Sequence, residues 1–458
     1  MLDAQIFKPG DIRGVVGGAG AQFDAAGAYQ LGVAFAQVFE LDGGEYVLGH
    51  DMRHLGAELA LAFAAGAASQ GAHGILGGLT STDELWFASG TTGLPGVMLT
   101  ASHNPPQYNG AKFCHPYAQP ISAATLRQIK EIALRQPEPG DIEPPPLEHH
   151  DFLPEFVAKL RSLVDVAAIP SSLKVVVDAG NGMGGLVAPA VLGSLVRLSG
   201  LYLELDGSFP NHMPNPLIPE NLIDITQAVR AQHADVGLAF DGDADRCFII
   251  DAEGELVDPA AITALIALES LRREPGASIV VNTITSRAVL EAVEAAGGQP
   301  IISPIGHSFM KAKMAEHQAI FGGEHSGHFY FREFWGADSG ILAALNVLAL
   351  MGGTGKSLRA LVESLPHYAH SGEINSTVAD PQAVMDAVAA ALLQSELAAL
   401  PPSVSTSDGL YLATPDWWVS VRMSNTEPLL RLNVEAKDDA TMTALRDQTL
   451  AIIRKEAV

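Results

Sequence analysis

Short apolar runs, each closed by a polar turn and followed by an Ala/Leu-rich stretch, recur along most of the chain. Glu45-Tyr46-Val47-Leu48-Gly49-His50-Asp51 predicts a strand and its turn, with a helix following over residues 59–68. Lys174–Asp178 and Ser278–Asn282 predict comparable strands, each near the start of a segment the size of a small domain. Runs of 4–8 β-rich residues favour strands, and longer Ala/Leu-rich runs favour helices. The pattern is therefore α/β, read as three related units. The prolines of Pro137–Pro146 forbid both helix and central strand and set a boundary near residue 150. A second boundary is expected at Asp251-Ala252-Glu253-Gly254. A third falls near Pro366, where the pattern turns strand-rich around Trp417-Trp418-Val419 and Leu429–Val434. The expected domains are 1–150, 151–252, 253–367 and 368–458, the last a smaller α+β unit.

A chain of 458 residues exceeds what one core supports, since single cores stop growing at about 250–300 residues. The apolar content, 48%, is ample for several cores. The most apolar stretch, 340–352, is shorter than the roughly 20 residues of a membrane span and contains Asn346, so it reads as a buried helix. Acidic residues outnumber basic ones 52 to 27, and no Lys/Arg block opposes that field, which argues against a nucleic-acid partner. An anionic small molecule needs only a few local cations and stays open. Cys114 and Cys247 imply no disulfide framework, and Met1–Gln5 lacks the basic and apolar regions of a signal peptide. The expectation is a soluble cytoplasmic protein without a membrane partner, monomeric or homodimeric.

Four loops carry chemistry. Thr100-Ala101-Ser102-His103-Asn104-Pro105 follows the β-like run Gly96–Leu99, and the Asn-Pro step keeps its serine on a turn. His103 and Lys112 offer that hydroxyl a proton acceptor and a positive charge; taken alone, such a Ser-His pair is usually a turn serine beside a surface histidine. Asp241-Gly242-Asp243-Ala244-Asp245-Arg246 sets carboxylates at every second position between two strands. Three hard oxygen donors on a tight turn suit Mg²⁺ and would repel one another without a cation. An EF-hand is excluded because its twelfth position is Ala252. Gly323-Glu324-His325-Ser326-Gly327-His328 places short polar groups between glycines, as sugar hydroxyls require; its histidines lack a partner run that would favour zinc. Arg422-Met423-Ser424-Asn425-Thr426-Glu427-Pro428, with Arg431, joins two strands and offers a phosphate cradle or, more plainly, a hairpin turn.

Gly180-Asn181-Gly182-Met183-Gly184-Gly185 matches G-x-G-x-x-G, with Asp206 downstream where a ribose ligand is expected. Asp178, however, would set a carboxylate near a pyrophosphate. A glycine-rich structural turn is the preferred reading over dinucleotide binding.

In their order along the chain these motifs resemble the α-D-phosphohexomutase superfamily, in its bacterial phosphomannomutase/phosphoglucomutase branch. Asp11-Ile12-Arg13-Gly14, Tyr108–Lys112 and Gly306-His307-Ser308 extend the likeness. The resemblance implies three α/β domains with mixed sheets and a smaller C-terminal domain around a central cleft. It implies that Ser102 carries phosphate and that Asp241, Asp243 and Asp245 hold one Mg²⁺ that also touches that phosphate. Glu324 and Ser326 would bind sugar hydroxyls, with His307 also in the cleft. Arg422, Ser424, Asn425, Thr426 and Arg431 would hold the phosphate that does not react. Arg13, Lys112 and Arg246 would stabilise the transferring group, and His328 is the proton-transfer candidate. The reaction would interconvert hexose 1- and 6-phosphates through a hexose 1,6-bisphosphate, both intermediate and activator.

Three departures bear on the sugar. Lys8-Pro9-Gly10 stands where relatives often have an aromatic residue, Val281–Thr285 lacks their lysine, and His325 replaces methionine or glutamine. Mannose and glucose phosphates are favoured over glucosamine phosphate. The alternatives from other classes are a nicotinamide oxidoreductase and a non-catalytic sugar-phosphate-binding protein.

Overall fold

A computed structural model describes residues 2–18, 20–394, 401–406, 408–423 and 429–455. Among them the strands form four sheets, one after another in chain order. In the first, Glu45–His50 lies parallel to His73–Leu79 and Gly96–Leu99, and Tyr108–His115 runs antiparallel between Gly96–Leu99 and Ile12–Val15. Parallel neighbours need a crossover, which the helices Gly56–Ala68 and Thr82–Thr92 supply. The first of these begins three residues before the stretch read from the pattern. Gly56-Ala57-Glu58 has no apolar pair to mark it, yet Glu58 suits the positive end of a helix.

The second and third sheets repeat this plan. Lys174–Asp178 is parallel to Arg197–Leu201 and Val236–Phe240, and Cys247–Asp251 closes the sheet as an antiparallel hairpin. Ser278–Asn282 is parallel to Gln299–Ser303 and Phe321–Gly323, and Phe329–Phe331 folds back antiparallel. The fourth sheet is antiparallel at every described pairing and carries the helices Pro381–Leu392 and Asp439–Lys455. Three mixed α/β units plus a C-terminal α+β unit is the architecture expected from the sequence.

The apolar stretch near 340 forms the helix Gly340–Thr354, capped by Ser339, whose side chain accepts from the Leu342 amide. Ile341, Leu345 and Leu348 are fully buried and share one core with Val177, Leu238 and Val281 of the second and third sheets. That shared core fixes the two units against each other. No helix among the described residues is long and apolar enough to cross a membrane.

The parallel strands explain where the loops go. Gly96–Leu99 ends at the serine loop, Val236–Phe240 at the triple-aspartate loop, and Phe321–Gly323 at Glu324–His328. In open α/β sheets, ligands bind outside the carboxyl ends of the strands, and here three sheets contribute such ends.

Candidate active site

Ser102 sits at φ 51°, in the left-handed region that L-residues adopt at a cost of about 1–2 kcal/mol. Arg53 holds it there. One guanidinium donates to the carbonyls of Ser102 and Asn104, each at 2.6 Å, and to those of Pro105 at 2.9 Å and Tyr108 at 3.0 Å. Asp51 completes the brace: it pairs with Arg53 and accepts from the Thr100 hydroxyl at 2.6 Å, which in turn accepts from the Ser102 amide. The loop is therefore tied from behind by buried groups, leaving the hydroxyl to face the aspartates.

That hydroxyl donates to Asp241 Oδ2 at 2.8 Å, joining two motifs 139 residues apart. The His103 ring, the acceptor expected from the sequence, is more distant at 3.3 Å and also meets the Arg246 guanidinium. Glycine is required where the two loops touch, because a Cβ on Gly242 would lie 2.4 Å from the Ser102 carbonyl oxygen. The G-x-G-x-x-G segment supports the same place. The Met183 amide donates to the Gly242 carbonyl, and a Cβ on Gly182 would meet that oxygen at 2.6 Å. It is a structural turn, as the sequence reading preferred, with Asp178 paired to His212.

Oxygen atoms of Asp241, Asp243 and Asp245 gather within 4.8 Å of one another, all buried. Lys112 Nζ lies 2.6 Å from Oδ2 of both Asp243 and Asp245, and Thr82 Oγ1 donates to Asp243 Oδ2 at 2.6 Å. Arg246 pairs with Asp241 at 2.6 Å. Asp243 Oδ1 and Asp245 Oδ1 are buried and hydrogen-bonded to nothing described. Unsatisfied buried carboxylate oxygens are costly, so the donor set fits a divalent cation. Burial and crowding push Asp241 and Asp245 above the usual carboxylate range. Burial is the largest single effect on Asp243 too, but Lys112, the Thr82 hydroxyl and Arg246 together outweigh it and hold that carboxyl low.

The sugar-loop groups arrive from the third sheet. Glu324 Oε1 accepts from Asn282 Nδ2 and the Gly306 amide, each at 3.3 Å, and Tyr330 donates to Oε2 at 2.7 Å. Burial raises the Glu324 carboxyl. Ser326 Oγ meets His328 Nδ1 at 2.8 Å, and His328 Nε2 lies 3.7 Å from Asp245 Oδ1 and 4.0 Å from Asp338 Oδ2. The sequence showed no partner run for these histidines; the fold supplies His328 with two acids. Burial and then Arg246 depress the His328 ring, which is neutral in this setting. Burial with Lys311 likewise lowers His307 to about 4.

Arg13, Ser102, His103, Lys112, Asp245, Arg246, His307 and His328 line one cavity of ≈ 90 Å³. Arg13 is aimed by Asp11 at 2.9 Å and by Asn104 at 2.8 Å. Glu324, Ser326, Arg422 and Arg431 are not on that cavity's wall. Arg422 and Arg431 stand directly opposite on neighbouring strands, a repulsive pairing that Glu373 offsets from 3.5 and 3.1 Å. Ser424, Asn425 and Thr426 lie outside the described residues. Asp51, Arg53, Thr82, Asn282, Tyr330 and Asp338 escaped the sequence reading, since none belongs to a run whose spacing marks chemistry.

Models of the four parts of one family match the chain in order. Their descriptions are phosphoglucomutase/phosphomannomutase alpha/beta/alpha domains I, II and III and C-terminal domain, over residues 4–139, 154–254, 258–368 and 373–452. A phosphomannomutase of Escherichia coli is 38% identical, covering 99% of this chain and 100% of its own. The phosphohexose mutases of Xanthomonas campestris are 39% identical over 97% of this chain and 98% of theirs. Among solved structures, a phosphoglucomutase/phosphomannomutase family protein from Burkholderia thailandensis superposes with a TM-score of 0.86 at 32% identity, covering 100% of this chain and 99% of that one. With all four parts matched and every sheet accounted for, the chain belongs to the phosphoglucomutase/phosphomannomutase family and is a phosphohexomutase, an intramolecular phosphotransferase.

Proposed function

We propose that the chain interconverts the 1- and 6-phosphates of mannose and glucose, with Ser102 as the phosphate carrier. The observation that carries this reading is the Ser102–Asp241 hydrogen bond of 2.8 Å, which sets the hydroxyl of the serine loop against the carboxylate cluster. Phosphate on Ser102 is attacked by the free hydroxyl of a hexose monophosphate. The O–P bond to serine breaks as the new one forms, giving a hexose 1,6-bisphosphate. The sugar then presents its other phosphate, and Ser102 takes it back. In the first half the substrate hydroxyl loses a proton and the serine oxygen gains one; in the second the serine oxygen attacks, the O–P bond to the sugar breaks and the protons move the other way, so the cycle balances.

The residues divide this work. Asp241 fixes the serine oxygen, while Arg13 and Arg246 add positive charge beside the transferring group; charge placed in advance is the main lever in phosphoryl transfer. A neutral His328 ring is able to accept the substrate proton. Glu324 and Ser326 bind vicinal sugar hydroxyls, and Arg422 with Arg431 grips the distal phosphate, together with the expected Ser424, Asn425 and Thr426. Mg²⁺ would be held by Asp241, Asp243 and Asp245, and when bound it supplies Lewis-acid charge to the phosphate on Ser102. The names of the relatives support mannose and glucose over glucosamine.

Two measurements test this. Intact mass and peptide mapping should find one extra phosphate on Ser102. A coupled assay across mannose, glucose and glucosamine phosphates, with Mg²⁺ and a trace of bisphosphate, should show the first two turned over, with Ser102→Ala lower by orders of magnitude. Wild-type turnover in that variant would remove Ser102 as the carrier, and turnover of glucosamine phosphate alone would overturn the sugar assignment.

A further inference from the structure

Asp408 belongs to the C-terminal unit, on the turn between the strands Ser403–Ser405 and Leu410–Ala413, yet its partners lie in the third unit. Its Oδ2 accepts from Thr283 Oγ1 at 2.9 Å and from the Ile305 amide at 3.1 Å. Thr283 and Ile305 follow the ends of two adjacent parallel strands, Ser278–Asn282 and Gln299–Ser303. The residues next to them, Asn282 and Gly306, are the ones that donate to Glu324 Oε1. One carboxylate from the C-terminal unit therefore grips the same two loop segments that orient the Glu324 carboxylate.

The other side of Asp408 is fixed to Arg422. Gly409 has φ 78°, and a Cβ there would lie 2.7 Å from the Val421 carbonyl oxygen and 3.0 Å from Arg422 Cα. Glycine thus lets the turn lie flush on the strand that carries Arg422, and Leu410 pairs with Val421 immediately beyond. Against the larger effect of burial, which lowers the Arg422 guanidinium, the Asp408 carboxylate acts to raise it.

We infer that Asp408 is a positioning residue that sets the spacing between the sugar-binding carboxylate, Glu324, and the phosphate-binding guanidinium, Arg422. The inference rests on the roles given to those two residues above. Asp408 touches no reacting atom. It acts by holding Thr283 and Ile305, so that a hexose whose phosphate is on Arg422 presents its hydroxyls to Glu324 in register. Losing it leaves each grip intact but lets them drift relative to each other, and coupled positioning of this kind shows as non-additivity.

The test is a double-mutant cycle on kcat/KM with mannose 1-phosphate, using Asp408→Ala, Glu324→Gln and the pair. Asp408→Ala is expected to lower kcat/KM about tenfold, mostly through KM. Glu324→Gln, costing on the order of 100-fold in the wild-type background, should cost less than about tenfold once Asp408 is gone. Asp408→Asn keeps an acceptor oxygen for both donors and should recover most of the loss. Thr283→Val removes one of the two bonds from the opposite unit and should reproduce part of the effect without altering the C-terminal turn. An additive cycle, or a Thr283→Val enzyme with wild-type KM, overturns the role of Asp408. Unchanged kcat/KM in Glu324→Gln alone overturns the sugar-binding assignment itself, so the two failures are told apart.

Discussion

Glu84 lies in the first turn of the helix Thr82–Thr92, 2% exposed, and its Oε2 has no hydrogen-bond partner among the described residues. Burial, followed by the neighbouring Asp83 carboxyl, pushes it from 4.5 to about 8. Asp83 is itself raised to about 7 by burial, against hydrogen bonds from Ser339 and Ser81. A carboxyl raised in the fold binds its proton more tightly folded than unfolded. Its stabilisation is complete below the unfolded value of 4.5 and is lost as pH rises through about 8. At 1.36 kcal/mol for each tenfold step, the full swing is on the order of 5 kcal/mol. This helix also underlies the site, since Thr82 bonds Asp243 through both its hydroxyl and its amide. Glu84→Gln is a neutral isostere that cannot acquire the charge. Melting temperatures should coincide with wild type near pH 5. By pH 9 the variant should melt roughly 10–20 °C higher, taking about 2–4 °C for each kcal/mol in a unit of this size. A scan of both proteins from pH 5 to 9.5 in matched ionic strength is the assay. A melting difference that stays flat with pH, or a variant that is the less stable one at pH 9, would falsify the account of Glu84.

Arg53→Lys keeps the charge but not the fork that reaches the carbonyls of Ser102, Asn104, Pro105 and Tyr108. It should cost about 3 kcal/mol and lower the phosphorylated fraction of Ser102, and an unshifted melt with normal phosphate content would rule that out. Stripping divalent ions with a chelator should abolish turnover and lower the melting temperature. Added Mg²⁺ should restore both, by about 2.7 kcal/mol at 100 times its dissociation constant, with the shift greatly reduced in Asp243→Asn; a full shift in that variant would contradict the ligand set. Gly32→Ala would set a Cβ 2.0 Å from the Phe63 carbonyl oxygen where the helices Ala25–Val38 and Gly56–Ala68 cross, whereas Gly140→Ala meets nothing within 4 Å. The first should destabilise by at least about 1–3 kcal/mol and the second negligibly, and equal melts of the two would refute the close-approach argument.

The loops of this site were legible because their chemistry needs several particular side chains within a few residues of each other. Asp241–Arg246 could be read from its spacing as an acidic loop between two strands, and Gly323–His328 as a polar loop between glycines; that the latter also follows a strand end is supplied by the fold. What supports them was not legible. Arg53 stands between Met52 and His54, and Asp408 before Gly409, with no motif around either; Arg53 acquires meaning only from partners 49–55 residues away and Asp408 from partners 103 and 125 residues away. Thr82, Asp83 and Glu84 form an ordinary helix start with a Ser81 cap. Only the fold adds that the same turn carries Asp243 on one side and Ser339 on the other.

The sequence also counted carboxylates without showing how their oxygens are shared. Three acids on one turn argue for a cation by repulsion alone, and Lys112 supplies one, which by itself would weaken the case for a metal. The atoms resolve the conflict. Lys112 and Thr82 take only Oδ2 of Asp243, and Lys112 takes only Oδ2 of Asp245. Asp241 gives Oδ2 to Ser102 and Arg246, and Oδ1 to the Arg246 amide. The oxygens left over are Oδ1 of Asp243 and Asp245, one from each acid and both buried without a hydrogen bond among the described residues. A lysine and a divalent ion therefore need not compete for the same atoms. The ammonium lowers the repulsion that would otherwise splay the loop, while the remaining oxygens keep the demand for hard positive charge. Lys112→Met should on this ground weaken Mg²⁺ binding, because it removes the group that holds the two carboxylates in place, although it also removes a competing positive charge. A variant that binds Mg²⁺ more tightly, measured by calorimetry on folded protein, would show that Lys112 opposes the ion instead.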